Sequence, residues 1–300
     1  MSKILRRRAQ IFGLVGSAFV GGWCSKSLID YFQSISSVSA KTLTPYENPN
    51  VPSIANSTKA QRISQIMKYG FPSLDSLRSF DDFVLSYDRR NRTAYWVFEH
   101  LTKENTAYSE AVNRSKSEFF EDDSIHEYFR GRNSDYKYSG YDRGHLAAAG
   151  NHKANQKHLD QTFVLSNISP QVGAGFNRDK WAELEKHSRK LLKQYPNVYV
   201  CTGPLYLPMK SPNGKKYVNY EVIGDSNVAV PTHFFKIIVA ENENGKLVME
   251  NYVLPNAVIS DSTPLTSFMV PLDSIQRAAG FLFFEKLDKS KLISVNNKKP

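Results

Sequence analysis

Hydrophobic positions cluster over seven stretches that read as strands: residues 82–88, 94–100, 162–167, 198–202, 218–223, 233–240 and 247–254. Each is rich in Val, Ile, Tyr or Phe and is bounded by Pro, Gly or Asn, as pleated and half-buried backbone requires. A period of 3.6 takes over at Asn177–Tyr195, NRDKWAELEKHSRKLLKQY. There Trp181, Leu184, Ser188, Leu191 and Tyr195 fall near one face, with Asp179 in the first turn and Lys193 in the last, as the helix dipole favours. A second helix is expected over Leu272–Gly280, opening after Pro271 and closing on glycine. Strands dominate and helices lie between them. The expected class is therefore α+β, with a central, mostly antiparallel sheet flanked by helices.

The pattern also divides the chain. Residues 34–60 are rich in Ser, Thr, Asn and Pro, follow neither period and read as a solvated linker. The folded domain is expected over residues 61–290, and residues 291–300 read as a frayed polar tail. At the other end, Lys3 and Arg6–Arg8 precede fourteen mostly apolar or small residues, and no acid occurs before Asp30. This fits a mitochondrial targeting segment or a secretory signal. Fourteen apolar residues are marginal for a membrane span, so a weak anchor to an inner membrane is the most that this segment offers.

Composition changes the picture little. Over 300 residues the chain is 41% hydrophobic and 23% charged, with 39 Lys and Arg against 29 Asp and Glu, a formal charge of +10. Residues 51–300 keep 33 basic against 27 acidic residues, compatible with a polyanionic partner such as nucleic acid. Only Cys24 and Cys201 are present. That excludes a disulfide framework and a cysteine-based zinc site. Cys201 reads as a small buried hydrophobe.

Chemistry concentrates in residues 141–153, YDRGHLAAAGNHK, and continues along the chain to Glu185. The order is a glycine-containing turn, an apolar strand (TFVLSN), an Asn-Pro-Gly-rich connection and the amphipathic helix. It brings a histidine near a helix start. Hydrolysis of a phosphodiester needs a base for water, a cation at the leaving oxygen and positive charge on the non-bridging oxygens. His145 titrates near neutrality and suits the base. The Asn177 carbonyl oxygen suits a hard cation, and Arg143 suits a phosphate or a carboxylate. Glu185 lies eight residues beyond Asn177, about 12 Å along an ideal helix, too far for a shared inner shell. Each has a structural alternative. His145 could merely complete a polar turn. Asn177 could be a helix N-cap, Glu185 could pair with Arg189 at i,i+4, and Asn167 could close a turn. His152 and His158 read as surface residues, and His100 and His233 as satisfied strand residues. Residue chemistry alone reaches a metal-assisted hydrolase and no further.

The string Asp142-Arg143-Gly144-His145 resembles the DRGH signature of the DNA/RNA non-specific endonucleases, the ββα-metal (His-Me finger) nucleases. LSNISPQ (165–171), FNRDKWAELE (176–185), TGPLYLP (202–208), PTHFFK (231–236) and YVLPN (252–256) follow in family order. KYGFP (68–72) and YWVFEHLT (95–102) precede it. The similarity spans roughly residues 65–285 and is strongest to the mitochondrial endonuclease G branch. The resemblance implies His145 as general base and Asn177 as the single protein ligand of Mg²⁺, for which Mn²⁺ could substitute. It implies Glu185 acting on the metal through a coordinated water, and Asn167 supporting the histidine and substrate side. Asp142 and Arg143 would position substrate, and Arg114 would meet the scissile phosphate. Lys153 and Arg178 are candidate phosphate contacts, with Lys157 and Lys180 beside them. The branch also implies a homodimer in the mitochondrial intermembrane space, acting on DNA and RNA through their backbones, moving to the nucleus and degrading DNA in dying cells. The rival readings are a catalytically silent nucleic-acid-binding module and a mainly exonucleolytic phosphodiesterase.

Overall fold

The computed structural model describes residues 58–300. The targeting segment and nearly all of the expected linker lie outside the described residues, but a helix already begins at Thr58 and runs to Ile66. Among the described residues, seven strands form the main sheet, in the order β1-β2-β3-β6-β11-β12-β13. Their ranges are β1 Leu77–Ser79, β2 Phe83–Asp88, β3 Thr93–Leu101, β6 Asn197–Leu205, β11 His233–Glu241, β12 Leu247–Pro255 and β13 Leu292–Val295. Every neighbouring pair is antiparallel except β12 with β13. Three two-stranded pieces accompany it: β4 Asp142–His145 with β5 Ile168–Gln171, β7 Met209–Lys210 with β8 Lys216–Tyr217, and β9 Val222–Ile223 with β10 Val228–Ala229. The class is α+β with a mixed, mainly antiparallel sheet, as expected.

Alternation along the strands sorts side chains to two faces. Val97 and Leu101 of β3, Val198 and Val200 of β6, and Phe234 and Ile238 of β11 share one buried cluster with Phe176, Trp181 and Leu184. Trp96 and Phe98 of β3 and Phe235 of β11 point the other way, where Phe98 meets Phe284 and Phe235 meets Phe283. The expected helix after Pro271 is present as Leu272–Ala279, ended by Gly280 in the left-handed conformation.

Several expectations need correction. Residues 162–167 are not a strand. Thr162 caps the helix Gln156–Gln161, and Leu165–Asn167 is a 3₁₀ turn. The Phe-Val-Leu run has strand propensity, but the Asn167 side chain donates to Thr162 O and curls the segment instead. Of 218–223, only Val222 and Ile223 are strand, because the preceding residues are exposed and find no sheet partner. The helix expected over 177–195 is present as one continuous run to Lys193, but its hydrogen bonding changes along it: the segment Gly173–Trp181, kinked at Ala174 and Gly175, leads into the α-helix Ala182–Lys190 and a closing 3₁₀ turn Leu191–Lys193. Nor does the polar tail fray throughout. Residues 292–295 add β13 to the sheet, and Asn296 Oδ1 accepts from Asn251 N at 2.8 Å.

His152, expected on the surface, is 2% exposed. Its Nε2 lies 3.0 Å from Glu99 Oε1 on β3, and its Nδ1 lies 3.8 Å from Asp82 Oδ2 beside β2. Asp82 also holds His158 Nδ1, and accepts from Arg62 Nε at 2.9 Å. Burial works against a charged His152 ring, yet the two carboxylates outweigh it and raise the ring to about 9. The folded value lies above the unfolded one, so this pairing stabilises the fold fully below about pH 6.5. The stabilisation fades as pH rises through about 9. The melting temperature of the native chain should therefore exceed that of His152→Gln by several degrees at pH 6, and the gap should narrow by pH 10. A gap independent of pH over that range would remove the charge from the account.

Candidate active site

The site is built on one local unit. Strands β4 and β5 pair antiparallel, from Asp142 opposite Gln171 to His145 opposite Ile168. The segment Gly173–Trp181 comes next, then the helix Ala182–Lys190. The unit is two strands and a helix, with Trp181 and Leu184 anchoring the helix to the main sheet. Two glycines make it possible. A Cβ on Gly144 would sit 2.1 Å from Gln171 Oε1, so the strand pair closes only over glycine. Gly175 has φ +80°, and a Cβ there would meet Val258 at 2.7 Å.

His145 ends β4 and is 8% exposed. Its ring lies between Phe163, at 4.7 Å between centroids, and Phe119, at 5.5 Å. Its Nε2 is buried without a hydrogen-bond partner. Burial, followed by the positive charges of Arg114 and His152, pushes the ring down to about 3. The unprotonated imidazole is therefore its resting form across the physiological range. Asn167, fully buried, holds the chain just beyond it. Its Oδ1 accepts from Ala147 N at 2.8 Å, its Nδ2 donates to Ala147 O at 3.0 Å, and its backbone oxygen accepts from Leu146 N. These bonds tie Asn167 to the two residues that follow His145.

Asn177 is not a helix N-cap. Its Nδ2 donates to Asp142 Oδ2 at 2.9 Å. The segment's N-cap is Val172, and within the segment Asp179 Oδ2 accepts from Gly175 N at 2.6 Å. The Asp142 carboxylate fixes which end of the Asn177 amide is which: nitrogen toward Asp142, carbonyl oxygen away. Asp142 is itself clamped by Arg178, through Nε at 2.8 Å and Nη2 at 2.6 Å. Arg178, a candidate phosphate contact, is therefore committed to a carboxylate. Lys180 is corrected more sharply. It is 2% exposed and donates to Glu183 and to the backbone oxygens of Asp261 and Thr263. Lys157 pairs with Asp81 at 2.7 Å, and Lys153 is exposed.

Glu185 is half-buried on the site helix. Burial pushes its carboxyl up to about 7, against the pull of Lys236, Arg189 and Arg114, while Glu99 adds to the rise. Arg114 reaches the same neighbourhood, its guanidinium carbon 5.8 Å from the Phe163 ring that also touches His145. Arg143 stacks on Phe119 at 4.2 Å and donates to Asn133 Oδ1 at 2.8 Å. The structure thus brings His145, Arg114 and Glu185 into one electrostatic neighbourhood and places Asn177 at the start of the same helix. Sequence reasoning missed Phe119 and gave Arg189 only as a partner for Glu185. Arg189 instead donates to Asn151 Oδ1 at 2.8 Å. Its signal was its position one turn beyond Glu185. Phe119 left none.

As a metal site, the donor set is oxygen, from Asn177 and Glu185. Among the described residues no group of three His, Cys, Asp or Glu side chains is arranged to hold a metal ion. A hard cation that keeps most of its waters matches one amide oxygen and a nearby carboxylate better than an all-protein cage.

Comparison with known proteins identifies the family. A family model of the DNA/RNA non-specific endonucleases matches residues 62–290. The chain is 46% identical over 292 residues to mitochondrial endonuclease G of Caenorhabditis elegans, covering 95% of each chain. It is 50% identical over 219 residues to mitochondrial endonuclease G of Homo sapiens, covering 73% of each. The fold is similar to that in a crystal structure of an EndoG/EndoGI complex, with a TM-score of 0.78 and 62% identity. That match covers 79% of this chain and 97% of the other. By sequence and by fold, the chain belongs to the DNA/RNA non-specific endonuclease family and is a metal-dependent enzyme that hydrolyses nucleic acids.

Proposed function

We propose that this nuclease cuts internal phosphodiester bonds of DNA and RNA with His145 as general base and Mg²⁺ on Asn177. The carrying observation is the pairing of a buried, neutral His145 with an Asn177 amide whose nitrogen is tied to Asp142. His145 accepts a proton from water, and the water oxygen attacks phosphorus. The bond to the 3′ oxygen breaks, leaving a 5′ phosphate. Arg114 lies beside His145, where its charge suits the non-bridging oxygens. Arg189 stands one turn beyond Glu185 for the same purpose. Arg143, steadied by Phe119 and Asn133, would hold an adjacent phosphate. With Lys153 it gives backbone contacts that carry no base preference.

The residues fit a magnesium ion. Asn177 Oδ1 is the open end of an oriented amide and would be the direct ligand, while Glu185 would act on the ion's water shell. When bound, the ion supplies positive charge to the leaving 3′ oxygen. Manganese has the same ligand preference and would substitute.

The relatives' names carry a location. Endonuclease G of Caenorhabditis elegans and of Homo sapiens are both named mitochondrial. Together with the basic, acid-free start of this chain, they support import into mitochondria. A homodimer is supported by the exposed apolar side chains Met209, Tyr217, Val218, Tyr220 and Val222, gathered along one stretch.

In Mg²⁺ the native chain should open closed circular plasmid, and EDTA should stop it. Removing the base in His145→Ala should lower the rate at least about a hundredfold. Asn177→Ala should raise the magnesium concentration needed for half-maximal rate, and Asp142→Asn should do so less. Cutting that survives EDTA or His145→Ala would overturn the mechanism. Cutting of linear but not circular DNA would point to an exonuclease, and tight binding of DNA with no cutting to a silent binding module. Residues 1–60 fused to a fluorescent reporter should carry it into mitochondria; a diffuse or secreted reporter contradicts import. Light scattering of the purified protein should give about twice the mass of one chain, and a monomer mass removes the dimer.

A further inference from the structure

Two charged side chains stand on the apolar sheet face beneath the site helix. Glu99 on β3 is 0% exposed and Lys236 on β11 is 1% exposed. Burying a charge is costly unless hydrogen bonds and counter-charges offset it. Lys236 is satisfied within the floor: its Nζ donates to Thr202 Oγ1 at 2.6 Å and lies 4.7 Å from the Trp181 ring centroid. Glu99 points out of the floor. Its Oε1 accepts from Asn151 Nδ2 at 2.9 Å and meets His152 Nε2 at 3.0 Å.

Asn151, 3% exposed, passes this connection upward. Its Oδ1 accepts from Arg189 Nη1 at 2.8 Å. The amide is used at both ends, nitrogen to carboxylate and oxygen to guanidinium, so its orientation is settled. Gly150 makes room for the guanidinium: a Cβ there would come within 3.1 Å of Arg189 Nη1. An unrestrained Arg189 would have a nearer option. It sits four residues beyond Glu185, the spacing at which helical side chains form ion pairs. Such a pair would withdraw both charges from a substrate phosphate.

We propose that Asn151, anchored by Glu99, is a positioning residue for Arg189 in phosphodiester cleavage; the proposal rests on the nuclease reading given above. One donor of the guanidinium is spent on Asn151, and the fork is held away from Glu185 with its other donors left for phosphate oxygens. The effect is on geometry in the reacting complex, so it falls on kcat more than on KM.

The test is a double-mutant cycle on the full chain, read as plasmid nicking in Mg²⁺ with kcat and KM separated. The proteins are native, Asn151→Ala, Arg189→Lys and the double variant. Asn151→Ala should lower kcat about tenfold and leave KM within about threefold. In the Arg189→Lys background, where the fork is already gone, the same change should cost nothing further. An equal loss in both backgrounds, or no loss in the native one, overturns the proposal. If Asn151→Ala shows no cooperative melting transition, Glu99→Gln carries the same cycle. Its loss should be smaller and should also vanish with Arg189→Lys; a loss that persists there, or no loss at all, overturns the proposal. A native chain that melts cooperatively but does not nick in Mg²⁺ or Mn²⁺ contradicts the nuclease reading instead.

Discussion

The Asp142 carboxylate is the joint on which the site turns. It leaves the first residue of β4, accepts from the Asn177 amide and binds the Arg178 guanidinium through both oxygens. Strand and helix are thereby fixed to each other at the point where the chemistry is placed. The same contact presents the carbonyl oxygen of Asn177 outward. An unpartnered amide could turn either end to a cation, and its nitrogen end would repel one. Because Arg178 neutralises Asp142, the carboxylate's oxygens are engaged and it remains a support for the site. Asp142 and Arg178 thus stand beside Asn177 with their polar atoms spent on each other and on its amide.

Around that joint, burial gives two histidines opposite states. His145 and His152 are seven residues apart and both nearly buried. His145 has aromatic neighbours and positive charges, which push its ring down to about 3 and leave it neutral. His152 has Asp82 and Glu99, which raise its ring to about 9 and keep it charged. One ring is held neutral and the other charged, although their intrinsic chemistry is identical. The two states are linked, since the positive charge near His152 is among the causes that depress His145. Burial also makes Glu185 hard to ionise, and Lys236, Arg189 and Arg114 offset that cost. The sheet floor therefore contributes charge as well as packing.

The sheet was largely legible in the sequence because β2, β3, β6, β11 and β12 carry their own signal of β-branched and aromatic residues. The finger was not. Asp142–His145 is a strand with no strand-like residue in it, formed because β5 pairs with it and Gln171 covers Gly144. The run Thr162–Asn167 failed the opposite way, with strand composition overruled by one asparagine side chain. His145, Asn177 and Glu185 stood out only once ordered motifs were matched to a family. Periodicity could not separate them from a turn residue, a cap and a surface acid. Glu99, Lys236 and His152 were illegible for a simple reason. A charged residue reads as surface unless its counter-charge is visible, and the partner of Glu99 is 53 residues away in the chain.

In the proposed mechanism the Asn177 carbonyl, turned outward by Asp142, is the direct protein ligand of the cation while His145 stays free to take a proton. The most direct test is the anomalous difference map of crystals of the native protein soaked in Mn²⁺. The expected result is a peak at coordination distance from Asn177 Oδ1, with no ligand from His145. A peak on the His145 ring, or on Asp142 with Asn177 turned away, would contradict it.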